Sequence, residues 1–250
     1  MPARLGIEDR GAVRVLTLDH PARKNALDPG AIDALHQALL PDALEGVRVL
    51  LLRGAGEDAF CAGYDLNALA EVGPAGALPD DALEQALNQL ASAPIPSIAL
   101  VHGPAFGAGC DLACACDLRV GSEAAVFCMP PARLGVVYAA SGMARLSSIV
   151  GVPRAKRMFF TAMTVHAERA EAWGLLDERA EVAQAERLAW ELAETISRMA
   201  PLAVQGMKRT FAGAEPAVLR ALRREAFASE DAREGKSAFL EKRRPEFKGR

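Results

Sequence analysis

Short apolar runs in the first two-thirds of the chain alternate with stretches that have helical periodicity. The predicted strands, in which apolar side chains alternate or follow one another, are residues 12–18, 47–52, 95–101, 118–121 and 125–128. The predicted helices are residues 28–40, 81–92, 109–116, 142–150 and 153–160. Asp28 followed by Pro29 is a typical helix start. This alternation of strands and helices favours an α/β core.

The pattern changes near Gln184, beyond which no further strand is predicted. Helix-like stretches rich in Ala, Leu, Arg and Glu cover residues 184–199, 201–211 and 215–230. No polar linker separates them from the core. We therefore place a strand-bearing core at residues 1–188 and a helical region at residues 189–250.

The segment from Val101 to Asp111 contains the most specific chemical signal. A buried strand precedes it, a buried helix follows it, and small residues fill the junction: Gly103, Gly107, Ala108 and Gly109. Small residues leave backbone N–H groups uncovered, and N–H groups at a helix start favour a negative charge. Asp111 follows within one turn. An anion site beside a carboxylate indicates chemistry at a carbonyl group.

Composition excludes several classes of function. The chain is 51% hydrophobic and 24% charged, which is ordinary for a globular protein. A net charge of −3 provides no basic surface for nucleic acid. No apolar run approaches the roughly 18 residues of a membrane span, and the first residues lack the apolar stretch of a signal peptide. We therefore expect a cytoplasmic protein with no nucleic-acid or membrane partner.

The cysteines and the other ligand motifs point to no metal and no nucleotide. The five cysteines lack paired C-x-x-C spacing, so neither a zinc site nor a disulfide framework is predicted. Leu112 stands where a dinucleotide-binding loop has its third glycine. Ser141-Gly142 lacks the G-x-S-x-G pattern of a serine hydrolase nucleophile.

A second candidate segment runs from Ala59 to Leu66 and follows the predicted strand 47–52. One interpretation is a glycine-containing turn in which Asp65 caps a helix. The other is a second backbone donor directed at the same anion as the 107–109 loop.

Six segments in sequence order resemble the crotonase (enoyl-CoA hydratase/isomerase) superfamily. They are Pro21–Leu27, Phe60–Leu66, Gly103–Leu112, Arg133–Val136, Ala200–Ala203 and Phe239–Phe247. The resemblance covers nearly the whole chain. It implies a spiral of ββα units followed by a C-terminal helical trimerisation region, and a homotrimer or a hexamer built as a dimer of trimers.

The same resemblance implies an acyl-CoA thioester substrate whose carbonyl becomes an enolate. Its oxyanion would be held by the backbone N–H groups of Tyr64 and Ala108, where Ala108 replaces the usual glycine. Coenzyme A would be part of the substrate, with no tightly bound cofactor and no metal.

The residues that the resemblance assigns to coenzyme A fall into two groups. Those at the adenosine end are Ala22, Arg23, Lys24, Ala62 and Asp65. Phe239 and Lys242 would reach the coenzyme from the C-terminal region, across a subunit boundary.

The chain departs from the family at the catalytic acids. Hydratases of this family use two glutamates around a water, whereas this chain has Asp111 at the first position and Pro131 at the second. Proline transfers no proton, and Glu123 lies in a predicted turn. A single carboxylate still suffices to move a proton between two carbons, as in double-bond isomerisation.

Three functions follow. The first is an enoyl-CoA hydratase/isomerase-type enzyme with Asp111 as its single proton-transferring carboxylate. Because the segment from Leu134 to Tyr138, Gly142 and the stretch 234–242 resemble methylmalonyl-CoA decarboxylase, the second is an acyl-CoA decarboxylase in which Tyr138 orients the departing carboxylate. The third is a catalytically silent CoA-binding or assembly subunit.

Overall fold

The computed structural model describes residues 2–68, 73 and 76–250. Its strands are β1 (Arg4–Arg10), β2 (Val13–Asp19), β3 (Val49–Gly54), β4 (Ser97–Val101), β5 (Pro104–Phe106), β6 (Leu118–Ser122), β7 (Val126–Cys128), β8 (Thr164–His166) and β9 (Glu178–Ala180). Its helices are α1 (Pro29–Ala38), α2 (Asp81–Ser92), α3 (Ala108–Ala115), α4 (Ala140–Val150), α5 (Val152–Thr161), α6 (Ala167–Ala172), α7 (Val182–Ser197), α8 (Pro201–Phe211), α9 (Pro216–Ala228) and α10 (Glu230–Glu241).

Six strands form the main sheet in the order β1-β2-β3-β4-β6-β9. β1 and β2 are antiparallel, and the other neighbouring pairs are parallel. Leu50 and Leu52 of β3 pack in the cluster that contains α1, α2 and α3. Val49 and Leu51 point to the other face, where they meet α7. The unbroken apolar run of β3 therefore reflects a strand that is buried on both faces.

A second, three-stranded sheet has the order β5-β7-β8. Only His102 and Gly103 separate β4 of the first sheet from β5 of the second. α3 begins two residues after β5 ends. The chain thus crosses between the sheets at the glycine-rich segment that the sequence singled out, and the crossing places the start of α3 beside both sheets.

α7 covers one face of the main sheet, whereas α8, α9 and α10 lead away from it. Lys208 of α8 donates to the Ile95 carbonyl (2.9 Å) and to Asp117 (2.6 Å), which ties α8 to the core. Beyond it, α9 packs on α8 and α10 on α9. The predicted boundary at residue 188 falls inside α7, and the division into two domains stays a prediction. Among the described helices, none has the length and apolarity needed to cross a membrane.

The structure confirms the predicted α/β core and the helical C-terminal region, with each predicted element within a few residues of an observed one. The prediction missed the short elements β5, β8, α6 and β9. It also missed β1, which is largely exposed at the sheet edge. It also missed α10. The Ser229 side chain accepts from the Ala232 N–H and starts this new helix directly after α9. The residues 73–80, rich in Gly, Pro and Ala, predict a mobile surface loop, which lies partly outside the described residues, at 74 and 75.

We expect Ala189→Leu to destabilise the protein by about 1–3 kcal/mol, because overpacking a well-filled core forces backbone or side-chain shifts. Ala185, Ala189 and Ala193 form a fully buried stripe of α7 against the main sheet. Urea unfolding would measure the change in the free energy of unfolding. The matched control is Gln184→Leu on the exposed side of the same helix, which should change that free energy by less than about 0.5 kcal/mol. Equal stability of both variants would contradict the prediction.

Candidate active site

The start of α3 presents a free backbone N–H group. Gly107 has φ +52°, a conformation that favours glycine, and its N–H donates to the Cys128 carbonyl at 2.9 Å. Its carbonyl accepts from the Asp111 N–H at 3.0 Å as α3 begins. The Ala108 N–H between these bonds finds no acceptor among the described residues. A helix N-terminus with a free donor carries partial positive charge.

Tyr64 presents a second free N–H group on the neighbouring segment. The residues on either side of it are bonded to Leu27, whose N–H donates to the Gly63 carbonyl (2.8 Å) and whose carbonyl accepts from the Asp65 N–H (2.7 Å). The Tyr64 N–H itself has no acceptor within residues 2–68, 73 and 76–250.

The two free donors lie side by side. A Cβ placed on Gly63 would lie 2.7 Å from the Phe106 carbonyl oxygen and 3.5 Å from the Ala108 nitrogen. Gly63 has φ +105°, so glycine is required there by conformation as well as by space. Two adjacent, unpaired N–H groups held by rigid backbone can stabilise the negative oxygen of an enolate or a tetrahedral intermediate.

Asp111 is buried within the first turn of α3 and is fully engaged by neighbouring side chains. Its Oδ1 accepts from Nε of Arg145 at 2.8 Å, and its Oδ2 accepts from Nη2 of Arg145 at 2.9 Å. The Tyr138 hydroxyl also donates to Oδ2, at 3.1 Å. Arg145 lies on α4 and donates through Nη1 to Asn88 of α2 at 2.6 Å. Helices α2, α3 and α4 therefore meet at this carboxylate.

The neighbours of Asp111 have perturbed acidities. Burial lowers the pKa of Arg145, but the hydrogen bond and the charge of Asp111 outweigh it, so this pKa is raised. Burial, and then the charge of Asp111, raise the pKa of Tyr138 far above its usual range. At neutral pH the site therefore holds a charged guanidinium and a neutral phenol.

The residue predicted to stand at the position of the second family acid is Pro131, which has no carboxylate. Pro131 is buried and begins a 3₁₀ turn after β7. The Glu123 side chain is exposed and lies 3.7 Å from Arg179 on the surface.

The residues predicted to line the adenosine end of coenzyme A lie together. Ala22 and Arg23 form a 3₁₀ turn, and the Lys24 carbonyl accepts from the Ala62 N–H at 2.9 Å. Nη1 of Arg23 contacts Asp65 at 3.2 Å. Asp65 also accepts from the Asn67 N–H at 3.0 Å, so it caps a turn as well as flanking the free Tyr64 donor.

A buried asparagine, Asn25, holds this loop against the segment that carries Tyr64. Its amide nitrogen donates to the carbonyls of Ala55 (2.9 Å) and Ala59 (2.8 Å). Its side-chain oxygen accepts from the His20 N–H at 3.0 Å.

Within this single chain, Phe239 and Lys242 are not brought to that loop. Both lie at the end of α10, where Phe239 is 83% exposed and Lys242 is the C-terminal cap. Their predicted contact across a subunit boundary stays a prediction.

Sequence reasoning missed Arg145 and Asn88. The signal for Arg145 was the single charged residue in the stretch 142–150. Its partner could not be deduced, because Asp111 lies 34 residues away on another helix.

The five cysteines are all buried and free. Burial raises the pKa of Cys61 to about 12, so this thiol is a packing group and not a nucleophile. No group of His, Cys, Asp and Glu side chains in the described part of the chain is arranged to hold a metal ion.

Comparisons with known proteins show which family and fold this chain resembles. The family model described as enoyl-CoA hydratase/isomerase matches residues 8–250. The chain is 33% identical to methylmalonyl-CoA decarboxylase of Escherichia coli over 95% of each chain. It is 37% identical to a probable enoyl-CoA hydratase of Mycobacterium bovis, covering 98% of this chain and 99% of that protein. The crystal structure of an enoyl-CoA hydratase from Bacillus anthracis superposes with a TM-score of 0.89 at 29% identity, over 98% of this chain and 99% of that one. This superposition confirms the crotonase-like fold.

We expect Gly142→Ala to displace the Asp111 carboxylate. A Cβ on Gly142 would overlap Oδ2 of Asp111 and lie 2.5 Å from Cε1 of Tyr138. The expected cost is about 1–3 kcal/mol in the free energy of unfolding, measured by urea denaturation. The control is Gly206→Ala on α8, where the nearest atom outside the helix would be 3.9 Å away. This control should be neutral or slightly stabilising, because alanine favours the helix. Equal effects of both changes would refute the prediction.

The two tyrosines should resist ionisation in alkaline solution. Burial raises the pKa of Tyr64 as well as that of Tyr138. The tyrosines lose their protons at a higher pH in the folded state than in the unfolded chain. The free energy of unfolding should therefore fall as the pH rises above about 10. Ultraviolet titration of tyrosinate in Tyr64→Phe, which leaves Tyr138 as the single tyrosine, would show its ionisation. Adding Asp111→Asn removes a nearby negative charge and should move the onset to lower pH. If Tyr138 ionised at the same pH with and without Asp111→Asn, the charge of Asp111 would not contribute to the raised pKa of Tyr138.

Proposed function

Because the chain belongs to the enoyl-CoA hydratase/isomerase family, we propose that it binds an acyl-CoA thioester and stabilises the enolate of its carbonyl between the N–H groups of Tyr64 and Ala108. The observation that carries the proposal is that these two donors are adjacent and unpaired among the described residues. Removing one such donor in other enzymes costs about 2.7–4 kcal/mol of transition-state stabilisation.

Asp111 is the proposed proton-transferring carboxylate, in a reaction of the hydratase/isomerase type. It lies three residues beyond Ala108 in α3, close to where the acyl carbons next to the held carbonyl would sit. Oδ2 accepts two hydrogen bonds and Oδ1 accepts one, so Oδ1 has the greater spare capacity for a substrate proton. Because Pro131 replaces the second acid, movement of one proton between two carbons fits this site better than addition of water.

The remainder of the substrate would bind along the loop that carries Ala22, Arg23, Lys24, Ala62 and Asp65. Coenzyme A would enter as part of the substrate, without a tightly bound cofactor. Phe239 and Lys242 of a neighbouring copy would complete its site in a trimer or a hexamer. Exposed apolar side chains on the C-terminal helices, among them Met207, Phe211 and Phe227, support such an assembly. The cytoplasmic location predicted from the sequence remains part of this proposal.

Decarboxylation of a carboxylated acyl-CoA is the second candidate, and the Arg145–Asp111 ion pair favours it. In this reaction the electrons of the breaking carbon–carboxylate bond form the enolate, carbon dioxide leaves, and the α-carbon then takes up a proton. No strong base is needed, which suits a carboxylate held at both oxygens by a guanidinium. Tyr138 would orient the departing carboxylate. The similarity to methylmalonyl-CoA decarboxylase of Escherichia coli agrees with this alternative.

A substrate panel separates these functions. Crotonyl-CoA, a 3-enoyl-CoA and methylmalonyl-CoA would be offered to the wild type, to Asp111→Asn and to the exposed control Asp33→Asn. We expect turnover of an enoyl-CoA that falls about 10²–10⁴-fold in Asp111→Asn, because general acid–base groups contribute that much. Asp33→Asn should retain the wild-type rate.

Two other results would revise the proposal. Release of carbon dioxide from methylmalonyl-CoA with little dependence on Asp111 would establish the decarboxylase. Tight binding of coenzyme A without turnover of any of the three would reject both reactions and favour a silent CoA-binding or assembly subunit.

A further inference from the structure

The carboxylate beside the proposed oxyanion site is one half of a buried ion pair. Asp111 is 3% exposed at its side chain and Arg145 is 13% exposed. The two hydrogen bonds at 2.8 and 2.9 Å make the pair bidentate, so the guanidinium and the carboxylate are held in a fixed relative orientation. The pair as a whole has no net charge.

Without Arg145, the site would repel a negatively charged acyl group. Charges in a partly buried site interact more strongly than in water, because the effective dielectric constant is lower. Asp111 alone would thus disfavour an acyl group that brings a carboxylate of its own. Arg145 cancels this repulsion, and the Tyr138 phenol next to it stays neutral.

Arg145 also has more N–H donors than these contacts use. A guanidinium has five N–H groups, and Arg145 uses one each at Nε, Nη1 and Nη2. Glu84 is a further acid nearby. Its carboxylate accepts from the Ser141 hydroxyl at 2.5 Å, on the same α2–α4 contact as Asn88.

We propose that Arg145 is a specificity-determining residue, which makes the acyl site compatible with CoA esters of dicarboxylic acids. Such an acyl group carries a free carboxylate in addition to its thioester. The inference rests on the proposed function, since it requires the acyl group to lie beside Asp111. It does not depend on which reaction follows.

Two unreactive ligands test this inference without any turnover. S-butyl-CoA and S-(3-carboxypropyl)-CoA are thioethers of equal chain length that lack the carbonyl, and they differ in a terminal methyl against a terminal carboxylate. Calorimetric titration would give the ratio of their dissociation constants for each variant. The ratio cancels every contribution of the coenzyme A part.

Four forms of the protein vary the charge of the pair: the wild type (neutral), Arg145→Gln (negative), Asp111→Asn (positive) and the double variant (neutral). We expect Arg145→Gln to weaken the carboxylate ligand about tenfold or more relative to the methyl ligand. Asp111→Asn should shift the ratio the opposite way, and the double variant should return near the wild-type ratio. Glu84 is unchanged throughout. Arg157→Gln, on the exposed side of α5, is the matched control and should leave the ratio unaltered.

The possible binding results separate the acyl-CoA site itself from the role of Arg145. Binding of neither thioether to the wild type would refute the acyl-CoA site itself. Binding of both, with a ratio that does not follow the charge series, would overturn the role of Arg145 and leave the proposed function standing. Arg145→Gln leaves a buried charge unpaired and is the variant most at risk of misfolding. If circular dichroism shows that it has unfolded, the wild type, Asp111→Asn and the double variant still test the predicted order.

Discussion

The close approach of two backbone segments is the constraint on which the rest of this site depends. The Phe106 N–H donates to the Cys61 carbonyl (3.0 Å), and the Cys61 N–H donates to the Pro104 carbonyl (3.1 Å). A Cβ on Gly109 would collide with the Cys61 carbonyl. The start of α3 can therefore approach the segment around Cys61 because residue 109 has no side chain. Loss of this approach would separate the free donors of Tyr64 and Ala108 and so weaken the stabilisation of an oxyanion held between them.

The position of each donor follows from hydrogen bonds made by its neighbours. Leu27 fixes the residues on both sides of Tyr64, and Gly107 is fixed at both its N–H and its carbonyl. Such donors need no reorganisation when charge develops on a bound oxygen, which is the physical basis of preorganised electrostatic stabilisation. Asn25 extends the same rigidity to the loop proposed for coenzyme A.

The Arg145–Asp111 pair has two opposite consequences for chemistry. It places a guanidinium against a buried carboxylate in a site from which an acyl chain would exclude water, where burial of a lone charge would be costly. It also directs a hydrogen bond to each oxygen of Asp111, which leaves fewer free lone pairs for a substrate proton. Both proposed reactions therefore depend on the oxyanion donors, and they differ in whether Asp111 carries the proton.

The resemblance to the crotonase superfamily, and no local pattern, assigned Tyr64, Ala108 and Pro131, and these assignments stay predictions. Local patterns along the chain were sufficient for the strand-and-helix core and the glycine-rich junction. These features depend on side-chain periodicity, glycine placement and residue identity, all of which can be read over a few neighbouring residues. The tertiary structure alone decided that Asp111 is paired, and that its partner is Arg145 on α4, held by Asn88 on α2. A pair between residues 34 positions apart depends on how three helices pack, and no local pattern encodes that packing.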